Sequence, residues 1–564
     1  MDDIGFDERV APEQARSASP SPPLPAAVVV GSALALAACG GDSGGGGSTG
    51  GAPPPGPPPV IPLSDIQASR FLSQATMGAT RTAINALASR GIDGWLNDQF
   101  AMPRATTHWD WLVANGYSAS TNINNEAGFD ATMWRQIIVE PDQLRQRVGM
   151  ALLDLLVVGI DGINLNWKQF AMAAYVDVLL DNAFGNFRDI LDKITTNAAM
   201  ASFLTFLGNR KANTTTGAEP DENYARELMQ LFTLGLYKLN MDGSLVGGAT
   251  PTETYTQLDV SGLARVFTGL VPANNTSTTP DRYRLPLAMN AAINETGPSS
   301  FLNASTTGGG TAAIKTALDT IFAHPNVAPF VSKQLIQRMV TSNPSSGYVG
   351  RVASAFADNG SGVRGDMKAV VRAILTDSEA RADSMISGTT FGRLREPVMR
   401  VTGWARAFNV NSPANTWPFG DTSSPSTRLG QSMGRAPSVF NFFRPGYTPP
   451  NTAISNAGLV APEFQITNEQ SVVGYVNYIN ALINNGSGDA KPDYTNILTK
   501  AADSAALVDE VNVVLAAGQL STATQSSIRA AVDSVSATAT NGTVNRVKIA
   551  ILLALASPDY LTVK

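Results

Sequence analysis

Hydrophobic positions along most of the chain recur every three to four residues, the spacing that lines one face of an α-helix. Ser64 opens SDIQASRFLSQATM, which Gly78 closes. Thr80 opens TRTAINALASR, with Ala83, Ile84, Leu87 and Ala88 on one face and Gly91 as the stop. Pro141 stands at a helix start, where its missing N–H costs nothing, ahead of DQLRQRVGMALLDLLVV running to Gly159. Asn186 is placed to cap FRDILDKITTNAAMASFLTFL before Gly208, and Pro325 starts NVAPFVSKQLIQRMV. Segments 364–375, 394–408 and 467–483 and the last 65 residues repeat the pattern. Strand-like alternation is scarce. Residues 274–310, rich in Asn, Thr, Ser and Gly, read as a hairpin or a long loop, and 411–462 is irregular around prolines and aromatics. The fold class predicted is all-α, a multi-helix orthogonal or bundle packing with long irregular loops and one small β-hairpin.

The first sixty residues follow another rule. Residues 25–38 read PAAVVVGSALALAA, an uncharged apolar run of 14. A membrane-spanning helix takes about 20, so the run fits the core of a signal peptide. It ends at Leu36-Ala37-Ala38-Cys39, and Cys39 is the single cysteine of the chain. This resembles the bacterial lipoprotein signal, which implies Cys39 as the lipidated (palmitate-bearing) first residue of the mature chain. Gly40 in place of Asp then implies the outer membrane. The segment before the run departs from that pattern, carrying Asp2, Asp3, Asp7, Glu8 and Glu13 against Arg9 and Arg16. Residues 40–59 read as a tether, glycine-rich and flexible first, then proline-rich and stiff. The organisation expected is 1–38 signal and extension, 39–60 lipidated Cys plus tether, 61–480 helical body and 481–564 a C-terminal helical bundle packed on it.

Composition narrows the chemistry. The 564 residues include two histidines, His108 and His324, and only 15% are charged. One cysteine and two histidines exclude Cys-ligated zinc, iron–sulfur clusters and intrachain disulfides, and no haem or nucleotide motif is present. From residue 61 onward 40 acidic face 38 basic residues, a balance with no electrostatic footprint for nucleic acid. Motif matches fail on context. Gly41-Asp42-Ser43-Gly44-Gly45 sits in a glycine run rather than in a strand–turn–helix elbow. Gly360-Ser361-Gly362-Val363-Arg364-Gly365 follows a helical pattern, not a strand. Asn240-x-Asp242-Gly243 reads as a turn, because a calcium loop would need Glu where Pro251 stands.

Seven ordered segments carry a resemblance. They are RFLSQATMGATRTAINALASRGIDGWLNDQF (70–100), PDQLRQRV (141–148), AFGNFRDIL (183–191), PDENYARELMQLFTLGL (220–236), YTQLDVSGLARVFTGL (255–270), HPNVAPFVSKQLIQRMVTSNP (324–344) and GDMKAVVRAILTDSEAR (365–381). Together, over about residues 65–480, they resemble the bacterial domain-of-unknown-function family 1800. The resemblance implies a largely helical, secreted or envelope-attached protein, often encoded beside a sulfatase-like family protein as a candidate partner. It implies no reaction and no catalytic residues.

The residues themselves offer one cluster. In PDENYARELMQLFTLG, helical projection groups Tyr224, Ala225, Leu228, Leu231 and Phe232 in an apolar arc. Asn223, Glu227 and Gln230 form a second stripe pointing away from it, and Glu222 and Arg226 pair at i,i+4. Two oxygen-bearing side chains one turn apart suit a divalent cation or a positioned water. Asp259 reads as a helix cap with Thr256 or as a third carboxylate beside Glu227, with Arg265 balancing charge. His324, ahead of Pro325, reads as a loop histidine capping a backbone group or as a neutral proton acceptor. His108, beside Trp109 and Trp111, reads as a surface or stacking residue. The Phe440–Tyr447 stretch reads as a buried loop pinning helical layers, or exposed as a stacking platform with Arg444; Arg395-Glu396-Pro397 is set beside it. The expected function is a tethered envelope binding or assembly module anchored in the membrane by lipid. The alternative is an envelope hydrolase with a carboxylate site, possible metal ligands Glu227 and Asp259, and Glu222, Asn223, Arg226, Arg265 and His324 nearby. Convergence of unpaired carboxylates in one cleft separates the two readings.

Overall fold

A computed structural model describes residues 62–564. The signal run, Cys39 and the tether lie outside the described residues. Twenty-four α-helices, one π-helix, five short 3-10 helices and three two-stranded antiparallel pairs make up the regular structure described. No helix among the described residues is long and apolar enough to cross a membrane.

Helix starts follow the caps in the sequence. Ser64 and Gln67 form a reciprocal capping box ahead of Asp65–Ala75, and the Thr80 hydroxyl accepts from the Ala83 N–H ahead of Arg81–Arg90. Gly91, at φ +73°, stops that helix in a conformation L side chains avoid. The single helix expected after Asn186 is instead two, Phe187–Thr195 and Ala198–Phe203. Asn197 restarts the second by accepting from the N–H groups of Ala199 and Met200 at 2.9 and 3.4 Å. A Thr-Thr-Asn run competes for backbone bonds and breaks the ladder.

The irregular stretch 274–310 belongs to two small pairs, one more than expected. Leu270–Val271 pairs with Ala288–Met289, and Ser299–Phe301 forms a hairpin with Ala304–Thr306. A third pair, Arg393–Leu394 with Thr562–Val563, ties the C-terminus to the middle of the chain.

Helix Lys168–Asp181 is buried around most of its circumference and packs against Gln143–Leu155 and His108–Ala114. The helices Ser504–Ala516, Thr522–Asp533 and Gly542–Ala556 pack on one another, and the first of them also packs on Asp65–Ala75. There Arg81 grips Glu510 through two hydrogen bonds of 2.8 Å. His108 is not a surface residue: it is buried, with Nδ1 3.1 Å from the Thr132 hydroxyl, and burial with Arg104 and Arg135 nearby pushes its pKa well down. Threonine gives the ring the polar partner a buried imidazole needs.

Candidate functional site

The segment that carries the sequence candidates is not one α-helix. Asn223–Glu227 is α-helical and Leu228–Thr233 continues it as a π-helix. The Thr233 hydroxyl donates to the Leu228 carbonyl at 2.5 Å. A π turn holds more residues than an α turn, so a projection at 100° per residue fails beyond Glu227. Met229 enters the core and Leu231 is only half-buried. Glu227, expected to point away from the core, is 7% exposed.

The candidate side chains do not converge on a shared carboxylate site. Glu222 accepts from Arg226 at 3.0 Å, from Gln257 at 2.8 Å and from the Ser261 hydroxyl at 2.6 Å. Those bonds hold its pKa below the ordinary value and clamp two helices together. Asn223 donates weakly to the Thr205 hydroxyl at 3.4 Å. Asp259 is the helix cap: Oδ2 accepts from the N–H and hydroxyl of Thr256 at 2.7 and 2.8 Å, and Oδ1 from the Leu302 N–H at 2.6 Å. Arg265 pairs with Glu295 at 3.2 Å rather than balancing Asp259 or Glu227. His324 accepts at Nδ1 from the Asn326 N–H at 3.1 Å. Burial lowers its pKa, with Lys238 and Arg364 adding to the effect.

Glu227 is the exception. Its Oε2 is buried without a hydrogen-bond partner among the described residues. Burial raises its pKa, opposed by Arg226, whose guanidinium is already engaged by Glu222 and Gln257. Among the described residues, no group of three or more His, Cys, Asp or Glu side chains is arranged to hold a metal ion.

The π-helix runs out into a cleft. Leu234, Gly235 and the loop after them form one wall of an open cavity of ≈ 830 Å³. Helix Val327–Met339 supplies the floor through Phe330, Lys333, Gln334 and Gln337, the i, i+3, i+4 and i+7 positions of one face. Residues 342–345, 379–391 and 445–460 supply the rest of the lining. Asn326 fixes the wall: its amide donates to the carbonyls of Leu234 (2.9 Å) and Tyr237 (2.8 Å) and accepts from the Leu239 N–H at 3.0 Å. The HPN triplet thus positions this loop, with His324 holding Asn326 and Asn326 holding the wall.

Behind the floor lies a buried charge network that sequence reasoning missed apart from Glu396. Arg393 donates to Glu463 at 2.9 Å, to Glu396 and to the Arg338 carbonyl. Arg147 donates to that same carbonyl, and Gln431 donates to Glu396 at 2.7 Å. Arg338 bridges the network and the cleft, donating to the Asp154 carbonyl at 2.9 Å and to Gln334 on the cleft floor. Burial, reinforced by Glu396, raises the Asp154 carboxyl to about 7. The signal for this network in the sequence is faint: single charged residues set inside otherwise apolar helical faces.

Asn441 donates to Asp154 at 2.7 Å and so anchors the aromatic loop 440–447. That loop is split between its two expected roles. Phe443 is buried, while Phe440 is exposed with the Arg444 guanidinium 4.4 Å from its ring centre.

The profile of the family described as "Protein of unknown function (DUF1800)" matches residues 70–562. No curated protein and no solved structure matches the chain.

Proposed function

Since the chain belongs to the DUF1800 family, whose function is unknown, we propose that it is a tethered binding module of the bacterial envelope, held by a lipid on Cys39. The observation that carries the reading is the ≈ 830 Å³ cleft, which falls within the ~300–1,000 Å³ of ordinary ligand sites. Leu236, Tyr237 and Leu245 line it and are exposed, although large apolar side chains normally bury. The carboxylates that an enzyme would use are instead paired or capping: Glu222 with Arg226, Asp259 with Thr256 and Leu302. The stretch ending at Cys39 and the Gly/Pro tether support envelope attachment, at the outer membrane by the Gly40 argument.

The test is saturable binding of Nile red, an uncharged apolar dye, to the purified full chain. One site per chain is expected, lost in Val460→Trp, which fills the cleft. Absence of saturable binding refutes the reading. The anchor is tested by metabolic labelling with a fatty acid, which Cys39→Ala abolishes if the lipid is there.

One observation favours a second reading, an envelope hydrolase. Glu227 is a buried, unengaged carboxyl with a raised pKa beside a π-helix, a feature that recurs at functional sites. If Glu227 binds a divalent cation, elemental analysis of the purified chain finds near-stoichiometric metal that Glu227→Gln removes and that Asp259→Asn, at the helix cap, leaves in place.

A further inference from the structure

We propose that the ligand of the cleft is a long-chain carboxylic acid, its carboxylate held by the Lys333 ammonium and its tail laid along the apolar wall. This rests on the reading of the cleft as a binding site and names the chemistry it takes.

Several polar groups lining the cleft are already engaged, whereas the single cation among the lining residues, Lys333, is not. Asn343 and Val460 exchange two hydrogen bonds of 2.9 Å. Both oxygens of Glu379 accept from Ser345, one from its N–H at 3.0 Å and the other from its hydroxyl. The Gln337 amide donates to the Ser342 carbonyl at 2.9 Å, and the Gln334 carbonyl accepts from Arg338. Lys333 has no hydrogen-bond or salt-bridge partner among the described residues. Its surroundings lower its pKa through desolvation, with no carboxylate opposing the shift. The residue is nonetheless exposed to the open cleft, so its ammonium is free to form a charge-assisted hydrogen bond with a carboxylate that enters.

The other half of the ligand follows from the walls. Leu236, Leu245, Phe330, Phe391, Leu459 and Val460 line the cleft around Lys333. They offer apolar contact and no further donor array. A dianion such as a phosphate monoester calls for several donors, as an arginine cluster or a helix N-terminus provides. With Glu379, the one lining carboxylate, held by both oxygens on Ser345, the single cation on a largely apolar surface matches a single negative charge on an apolar chain. Adjacent Gln334 adds, on the same helix, an amide N–H₂ without a partner among the described residues.

The experiment titrates the full chain with cis-parinaric acid, a fluorescent polyene acid, and with its methyl ester, which has the same tail without the charge. The expected result is at least tenfold tighter binding of the acid. Lys333→Met should bring the acid to the level of the ester and leave the ester unchanged, while Lys333→Arg keeps the preference. Equal affinity for acid and ester in the wild type, or an unchanged acid affinity in Lys333→Met, overturns the carboxylate assignment while leaving the cleft a binding site. Failure of both probes and of Nile red removes the binding reading itself, and this proposal with it.

Discussion

Replacing Arg393 with Met tests whether the buried network is the brace behind the cleft. Arg393 is nearly inaccessible, and so are the two carboxylates it joins, Glu396 and Glu463. The substitution deletes its bonds to both and to the Arg338 carbonyl. Two carboxylates are left close together out of water, one of them, Glu463, already pushed up by burial with Glu396 adding to the shift. Removing one partner of a buried pair costs about 3–5 kcal/mol, most of it from the stranded charge. For a body of about 500 residues, an unfolding entropy of about 2.1 cal/mol/K per residue sums to about 1 kcal/mol/K. Melting as one unit, the variant therefore loses about 3–5 °C, read by circular dichroism at pH 7.5 alongside urea unfolding. The triple variant Arg393→Met/Glu396→Gln/Glu463→Gln, which neutralises the stranded acids, should recover part of that loss. A single-variant cost below about 1 kcal/mol, or a triple variant no more stable than the single, refutes the stranded-charge reasoning.

Asp154 should make stability fall as pH rises from about 4 to about 7. Its carboxyl is raised to about 7 in the folded chain, so over that window the folded state holds a proton that the unfolded state has lost. Asp154→Asn flattens this part of the profile and gains on the wild type above pH 7, measured by melting temperature across pH. Asp259→Ala removes the acceptor for the Thr256 and Leu302 N–H groups and should cost about 0.5–2 kcal/mol in urea unfolding. Gly262→Ala should cost about 1–3 kcal/mol in the same assay, because a Cβ there would overlap the Ser300 carbonyl oxygen of the hairpin. Glu227→Gln should raise the melting temperature at pH 8, where the wild type carries a desolvated carboxylate; a lower value would show that the charge is paired after all.

Much of the helical architecture is written locally. Ser64 with Gln67, Thr80, Asn186 and the Thr256–Asp259 pair mark helix starts that the structure keeps, because a cap satisfies N–H groups within three residues of itself. The apolar face of Leu263, Val266, Phe267 and Leu270 is buried as its spacing requires. The same local chemistry made Asp259 legible as a cap and His324 as a loop histidine holding a backbone N–H.

Properties that depend on remote segments were not legible. The π-helix at Leu228–Thr233 carried Met229 into the core and left Leu231 half-buried, and no periodicity announces a change of pitch. Arg265 found Glu295, and Arg393 found Glu463 seventy residues away, because partners for charges are chosen by how segments remote in sequence pack together. The cleft draws its lining from five stretches between Leu234 and Val460, so neither its volume nor the unpaired state of Lys333 exists in any one of them. Sequence sets which face of a helix leaves water; only the packed fold decides what that face meets.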